Sequence, residues 1–340
     1  MKYRFLIYIN HDYALPIGLP LQKEINRLGH TVKWFSGMEA PKKFFPKQGA
    51  LINNIREAIA YKPHIVLSIT DTVPDFISGL KVQVFHGFPA NKRKGTDQFT
   101  IRGFFDLYCT QGPSSTLPFK EQQKKYKTFD VVETGWSKVD PLFPLKAIHN
   151  KKPKILISST FTKQYSLALK DNVVDEIHRL SKTGKYDFMA VLHPKLGQET
   201  VEKFRRLENE NFKFYDTTDL IPLFKKANIM FSDTTSAIIE FLLQRKPVIT
   251  YKNNMPGPYL IDIDRVEDIE SSFDLALTRP EELISEIDKF ARFSHPYTDG
   301  KSSERVIQAG IDFLHTDKSY LKKKPLNLIR RYKIRKQLDY

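Results

Sequence analysis

The sequence predicts an α/β protein with two successive units, each a doubly wound parallel sheet with helices on its faces. Two observations lead to this fold class. Short apolar runs of strand length alternate with amphipathic helical segments along most of the chain, which is typical of parallel sheets. The alternation stops in the polar, Lys-rich stretch 146–153 and then restarts, which indicates a linker between two domains, 1–145 and 154–300.

The composition fits a folded protein of this size. The chain has 340 residues, of which 41% are hydrophobic, enough for two cores. No apolar run is long enough to span a bilayer, and residues 1–10 are too short and polar for a signal peptide, so we expect a cytoplasmic protein. The single cysteine, Cys109, excludes an intrachain disulfide and a metal site built from several cysteines.

In the first domain, Gly29 ends the first predicted helix because glycine often follows a helix C-terminus. The strands are predicted at 2–10, 31–35, 65–69, 81–85 and 107–110, and the helices at about 16–28 and 51–61 and after the turn 112–115.

In the second domain, the strongest signal is the unit 229–251, in which a strand, a polar turn, a helix and a second strand follow one another. Other strands are predicted at 154–158, 188–192 and 212–215, and other helices up to about 183 and at 201–207, 219–227 and 281–293. A last helix within 301–317 is expected to cross back to the first domain.

Three polar clusters come directly after predicted strands: His86 with Gly87, His193 with Pro194, and the turn of Ser232, Asp233, Thr234, Thr235 and Ser236. Ligands bind at the carboxyl ends of strands in open parallel sheets, so we expect these clusters to line a cleft between the domains. The turn also precedes a helix, whose first N–H groups suit a phosphate. The alternative is that Asp233 or Thr234 only caps that helix, which is the commoner role of such residues.

His86 is the candidate general base, because imidazole changes charge near neutral pH and Gly87 leaves room for an acceptor hydroxyl. The run of Lys92, Arg93 and Lys94 could bind an anionic acceptor or nucleotide phosphates, although such a run in a loop is usually solvated surface. On the other sheet, His193 and Lys195 could donate hydrogen bonds to a leaving pyrophosphate.

Metal binding has one candidate, the pair Asp262 and Asp264, whose spacing could hold a divalent ion beside a nucleotide diphosphate. The surrounding loop has no phosphate-binding turn, so we expect no metal there. The sequence also lacks a P-loop, a Gly-x-Gly-x-x-Gly motif, a zinc signature and a Gly-x-Ser-x-Gly motif. Kinase, dehydrogenase, metalloprotease and esterase functions therefore lack their usual support.

The net charge is +15, and the excess is concentrated in residues 318–340, where Lys and Arg alternate with Leu, Ile and Tyr. This pattern is typical of a segment that binds an anionic membrane surface. Nucleic acid would need the same charge, but no nucleic-acid-binding motif accompanies it, so we expect none as a partner. A solvated basic tail is a further alternative.

A series of short motifs carries a family resemblance. They occur at 84–89 with Lys92 and 95–97, then at 134–140, 155–161, 192–195, 231–236 with Glu240, 257–262 and 296–305. In this order they resemble the CDP-glycerol glycerophosphotransferase family, the teichoic-acid primases and polymerases, over roughly residues 80–310.

The resemblance implies a GT-B fold of two Rossmann-like domains. It implies transfer of polyol phosphate from a CDP-polyol to a membrane-bound acceptor, without a metal or another cofactor, at the inner face of a bacterial membrane. His86 would be the base, and Gly87, Lys92 and Lys94 would contact the acceptor. The donor would be bound by His193, Lys195, Ser232, Asp233, Thr234, Thr235, Ser236, Glu240, Ser302, Ser303 and Arg305.

One departure concerns the acceptor side, because the family continues its His-Gly motif with Thr-Pro-Leu-Lys where this chain has Phe88-Pro-Ala-Asn-Lys92. A capsule or lipopolysaccharide intermediate is therefore an alternative acceptor to teichoic acid. Two other functions stay open: a glycosyltransferase or nucleotide-sugar epimerase of the same fold, and a non-catalytic protein that binds anionic polymers. The polyol, the acceptor and the oligomeric state are not determined by the sequence.

Overall fold

A computed structural model describes residues 1–43, 45, 51–88 and 97–340. The described chain forms two compact units. The first contains residues 1–88 and 97–143 together with Ser294–Tyr340, and the second is Pro144–Phe293. The chain therefore returns to the first unit after completing the second.

The first unit is built on a seven-stranded sheet in the order β3-β2-β1-β4-β5-β6-β7, and all its pairings are parallel. The central strands are apolar and buried, as is usual when helices cover both faces of a parallel sheet. The strands are β1 (Arg4–Ile9), β2 (Thr31–Ser36), β3 (Leu51–Ile52), β4 (Ile65–Ser68), β5 (Leu80–Val84), β6 (Leu107–Thr110) and β7 (Asp130–Glu133).

The helices of the first unit are α1 (Leu15–Arg27), α2 (Ala40–Lys43), α3 (Ile55–Ala60), α4 (Pro113–Tyr126), α11 (Ser302–His315) and α12 (Leu328–Leu338). The sequence predicted a helix over 51–61, and this prediction was wrong for the first residues of that range. Leu51 and Ile52 instead extend the sheet as β3, and the helix begins at Ile55 because the side chain of Asn54 accepts the N–H of Glu57.

The second unit contains a six-stranded parallel sheet in the order β10-β9-β8-β11-β12-β13. Its strands are β8 (Lys154–Ser159), β9 (Asp187–Leu192), β10 (Phe212–Phe214), β11 (Ile229–Ser232), β12 (Val248–Tyr251) and β13 (Ile261–Ile263). Its helices are α5 (Asp171–Lys182), α6 (Gln198–Arg206), α7 (Ile221–Lys226), α8 (Ala237–Leu242), α9 (Ile269–Thr278) and α10 (Glu281–Ser294). The sequence did not predict β13 or α9.

Both sheets thus have the doubly wound, parallel α/β form that the alternating pattern predicted. Because the strands of each sheet are parallel, all their carboxyl ends lie along one edge, and side chains that follow different strands come together there. Among the described residues, no helix has both the length and the hydrophobicity needed to cross a bilayer.

Candidate functional site

In the first unit, His86 lies just beyond the carboxyl end of β5, beside Asp71, which follows β4. The imidazole Nδ1 is 3.6 Å from Asp71 Oδ1, and Arg102 Nη1 is 3.1 Å from Asp71 Oδ2. All three side chains are partly exposed, at 45% for His86, 39% for Asp71 and 38% for Arg102, so a ligand in solution can reach them. The Asp71 carboxylate therefore bridges an imidazole and a guanidinium beyond the carboxyl ends of the strands.

This geometry assigns different roles to the two nitrogens of His86. A carboxylate beside Nδ1 favours the tautomer with its proton on Nδ1, and it stabilises the imidazolium that forms when Nε2 takes a proton. The pair can therefore act as a general base through Nε2. Asp71 would position the ring and balance its charge, without touching the substrate.

Aromatic residues that follow β1 lie against this pair. The ring of Tyr13 is 5.9 Å from that of His86, and His11 stacks on Tyr13 at 5.0 Å. Burial, with smaller contributions from the negative charges of Asp71 and Asp12, raises the pKa of Tyr13 to about 12. The phenol thus keeps its proton at neutral pH and can donate a hydrogen bond to a bound group.

Sequence reasoning missed Asp71, Arg102 and Tyr13. Asp71 is three residues beyond the end of β4 and Tyr13 is four beyond the end of β1, against two for His86 beyond β5, so a slightly wider form of the criterion that selected His86 could have found them. Arg102 lies in a long segment between β5 and β6 and gives no such signal.

The predicted acceptor residues are only partly described. At Gly87, no atom of the described residues comes within 4 Å of an ideal Cβ, and the Gly87 carbonyl accepts a hydrogen bond of 2.8 Å from Gln111. Phe88 is buried against Trp136. Lys92 and Lys94 lie outside the described residues.

In the second unit, the carboxylate of Asp233 joins the loops that follow β11 and β8. Its Oδ2 accepts from Ser159 Oγ at 2.6 Å, from the N–H of Leu167 at 3.0 Å and from the N–H of Thr160 at 3.1 Å. Its Oδ1 accepts from the same Thr160 N–H at 3.0 Å. Asp233 is fully buried, so its contribution to a ligand site is to fix these loops.

The rest of the predicted phosphate turn divides into an inner and an outer part. Ser232 is buried and donates to the carbonyl of Ser158 at 2.7 Å, and the buried Thr234 accepts the N–H of Asn254 at 3.1 Å. Thr235 and Ser236 are half-buried. A ligand at this edge would therefore meet the hydroxyls of Thr235 and Ser236 first.

His193 and Lys195 follow β9 at the same edge. The Nδ1 of His193 accepts the N–H of Lys195 at 3.1 Å, so in the neutral ring the proton is on Nε2, which is then a donor. The imidazole lies 4.5 Å from the ring of Phe161, and the ammonium of Lys195 lies 5.2 Å over that same ring. Phe161 thus contacts both an imidazole with an Nε2–H donor and an exposed cation, a combination that suits a phosphate.

Glu240, predicted to bind the donor, is buried, and Asp262, the candidate metal ligand, accepts hydrogen bonds from neighbouring residues. Glu240 is in α8 and only 4% exposed. Asp262 accepts from Thr250 Oγ1 at 2.6 Å and from the N–H of Asn253 at 3.0 Å. Within the described part of the chain, no group of three or more His, Cys, Asp or Glu side chains is arranged to hold a metal ion.

Ser302, Ser303 and Arg305 belong to the first unit, where they begin α11. Asp140 accepts the N–H of Ser302 at 2.8 Å, the N–H of Ser303 at 2.7 Å and the Ser303 hydroxyl at 2.6 Å. Both serines are buried, and these contacts fix the start of the helix. Arg305 is half-buried, pairs with Asp299 and lies 4.0 Å over the ring of Tyr297.

Comparison with known proteins identifies the fold. No family model and no curated protein matches the sequence. Solved structures do match. A putative UDP-N-acetylglucosamine 2-epimerase from Listeria monocytogenes has a TM-score of 0.63 and 15% identity, covering 94% of this chain and 98% of that one.

Two further structures resemble the chain as closely. The wall teichoic acid polymerase TagF has a TM-score of 0.62 and 14% identity, covering 93% of this chain and 90% of that one. UDP-GlcNAc 2-epimerase from Neisseria meningitidis, bound to UDP-GlcNAc, has a TM-score of 0.61 and 15% identity, covering 91% and 100%. At such low identity these likenesses establish the fold alone, and the chain has a GT-B fold.

Proposed function

We propose that this protein transfers a polyol phosphate, such as glycerol phosphate, from a CDP-polyol to a hydroxyl of a lipid-linked glycan or a polyol-phosphate polymer. The observation that carries the proposal is the contact of His86 with Asp71 at the carboxyl edge of the first sheet, because it supplies a base for an acceptor hydroxyl. The likeness to a teichoic acid polymerase and the motif order of the sequence support the same reaction class.

In the proposed reaction, His86 Nε2 takes the proton of the acceptor hydroxyl while the hydroxyl oxygen attacks the β-phosphorus of the donor. The bond from that phosphorus to the bridging oxygen breaks, and CMP leaves with the bridging oxygen. The product is a phosphodiester. Asp71 stabilises the imidazolium formed in this step, and Gly87, which lacks a side chain, gives the acceptor access to the ring.

The donor phosphates are assigned to the edge of the second sheet. His193 would donate through Nε2–H, Lys195 would supply a positive charge, and Thr235 and Ser236 would donate through their hydroxyls. Asp233 would act indirectly, since it fixes the loops around them. Glu240, Ser302, Ser303 and Arg305 keep their donor-binding roles only as predictions, because three of the four are buried.

A nucleotide-sugar epimerase is the second candidate function. Its specific support is the likeness to a putative epimerase from Listeria monocytogenes, which extends over 98% of that chain and 94% of this one. Such an enzyme would use a UDP-sugar and would not release CMP.

A donor panel separates these functions. The protein is incubated with bacterial membranes and with CDP-glycerol, CDP-ribitol, UDP-N-acetylglucosamine or a GDP-sugar, and the nucleotide products are measured. The proposal predicts CMP from a CDP-polyol, and loss of that activity in His86→Ala but not in His149→Ala, which removes an exposed histidine of the second unit. Epimerised sugar, UDP release or no turnover with any donor would reject it.

A further inference from the structure

The C-terminal segment 318–340, which we call the strap, is fixed to the first unit by polar contacts along its length. Lys324 forms an ion pair with Asp106 and donates to the carbonyl of Phe104 at 3.0 Å. Further along, Arg331 and Arg335 lie 3.5 and 3.9 Å from Asp75. The strap is therefore an integral part of the first unit.

Apolar contacts fix the inner face of α12, the helix of the strap. Ile334 is buried in the core cluster that contains Tyr8 and Val73, and Leu338 packs at its edge. Beyond the helix, Tyr340 stacks on Phe76 at 4.3 Å. Since successive residues of a helix are about 100° apart, Arg331, Ile334, Arg335 and Leu338 share this inner face. Ile329, Tyr332, Lys333 and Lys336 then lie on the opposite face.

The outer surface of the strap is strongly apolar for an exposed surface. Ile329 is 74% exposed, Leu326 69%, Leu328 67% and Tyr332 66%. These four side chains lie within seven residues of sequence, whereas isolated exposed apolar residues are normal on any protein. Leu328, Ile329 and Tyr332 lie on α12 and Leu326 lies just before it, and this grouping indicates that something covers them.

Cations surround these apolar side chains. Lys323, Lys333 and Lys336 are exposed, and among the described residues none of the three has an acidic partner. The strap's inner cations, by contrast, are neutralised by Asp75 and Asp106. The outer face thus combines unpaired positive charge with aliphatic and phenolic side chains.

This combination fits one kind of surface. At an anionic bilayer, Ile and Leu enter the boundary between headgroups and acyl chains, Tyr lies at the headgroup level, and Lys contacts lipid phosphates. A nucleic acid would use the lysines but would leave the aliphatic side chains in water. The face therefore favours lipid over nucleic acid.

We propose that the outer face of α12, with Leu326 and Leu328, docks this protein on an anionic phospholipid bilayer as a peripheral protein. The strap is linked to the candidate base only indirectly: Asn327 Nδ2 donates to the carbonyl of Arg102, Arg102 pairs with Asp71, and Asp71 faces His86. Docking would bring this unit to a lipid-linked acceptor, a consequence that rests on the proposed function. Lipid binding itself does not depend on that function.

The test is cosedimentation of the full chain with vesicles of phosphatidylcholine alone or mixed with phosphatidylglycerol. We expect binding to the mixed vesicles only. Each Lys near such a surface strengthens binding about fivefold, so Lys333→Glu/Lys336→Glu should bind at least ~30-fold more weakly. Ile329→Ser/Tyr332→Ser should also lose binding, because it removes the inserted side chains.

Matched controls come from the second unit. Leu275→Ser/Phe293→Ser removes two exposed apolar side chains, and Lys225→Glu/Lys226→Glu reverses two exposed charges, so both should bind like the wild type. Failure of the wild type to bind mixed vesicles, equal loss in the controls, or binding to single-stranded RNA in place of vesicles would overturn the proposal. If the protein binds vesicles but has no transferase activity, the lipid-docking proposal stands and the proposed function is rejected.

Discussion

Replacing Asp233 with Asn tests the role of the buried carboxylate in holding the loops of the second unit. Asparagine has nearly the same shape but one oxygen. The orientation that costs least keeps this oxygen where Oδ2 accepts from Ser159, Leu167 and Thr160, and turns the NH2 group toward the N–H of Thr160. One acceptor contact then becomes a contact between two donors.

The size of the effect follows from these contacts. Hydrogen bonds to a charged group contribute about 1.5–3 kcal/mol each and neutral ones about half as much. Asp233→Asn loses one contact and weakens the others, so we expect the second unit to lose ~2–4 kcal/mol of its free energy of unfolding. With a urea m-value of about 2 kcal/mol/M, in the middle of the usual range of about 1–3, the midpoint should fall by ~1–2 M.

Urea unfolding can assign this loss to the second unit. Both tryptophans, Trp34 and Trp136, are in the first unit, so their fluorescence reports that unit alone, whereas far-ultraviolet circular dichroism reports both. Asp262→Asn is the matched control, because Asp262 is exposed and accepts only two hydrogen bonds. If Asp233→Asn unfolds at the same urea concentration as this control, the reasoning is refuted.

Three further predictions concern the first unit. Asp71→Asn should lower kcat for CMP release ~10- to 100-fold with little change in the KM for the donor, since Asp71 contacts the base and Arg102 but, within the described part of the chain, none of the proposed donor-binding residues. An effect on KM only would contradict this. Burial lowers the pKa of His295 to about 4 from an ordinary 6.5. As the pH falls, His295 is therefore protonated in the unfolded chain before it is protonated in the folded protein. The contribution of His295 to the free energy of unfolding should therefore be constant above pH 6.5 and should fall by about 3 kcal/mol as the pH drops to 4. In thermal unfolding, His295→Gln should not show this loss of stability between pH 6.5 and 4. If the wild type and His295→Gln have the same dependence of stability on pH, the prediction is wrong. Asp140→Ala should lower the free energy of unfolding of the first unit by ~3 kcal/mol, because three hydrogen bonds that fix the start of α11 are lost. Tryptophan fluorescence in urea measures this loss, and an unchanged midpoint would show that Asp140 does not stabilise the start of α11.

The sequence predicted the fold well because most of the buried strands are apolar runs bounded by polar residues, a pattern typical of a parallel sheet covered on both faces. It failed where the local pattern was ambiguous. Leu51 and Ile52 continue the apolar periodicity of the helix that follows, and only pairing with β2 makes them a strand. The sequence predicted that the strap binds an anionic membrane surface, but it did not predict that the inner cations of the strap pair with Asp75 and Asp106, which are both distant in sequence.

The candidate site was predictable where a side chain directly follows a strand, as His86 and His193 do. Contacts over long sequence separations were not predictable. The late serines Ser302 and Ser303 have the composition of a phosphate-binding turn, but Asp140, 162 residues earlier than Ser302, already takes their N–H groups. A motif gives residue types and order, whereas the three-dimensional structure decides which groups are already engaged.

The most direct test of the proposed reaction uses CDP-glycerol radiolabelled at the β-phosphorus, with membranes as the source of acceptor. If His86 activates a hydroxyl for attack on that phosphorus, the label moves into the acceptor product, CMP is released unlabelled, and His86→Ala transfers no label. If the label stays with the nucleotide while the acceptor is modified, the bond that breaks is at carbon, and His86 does not activate a hydroxyl for attack on phosphorus.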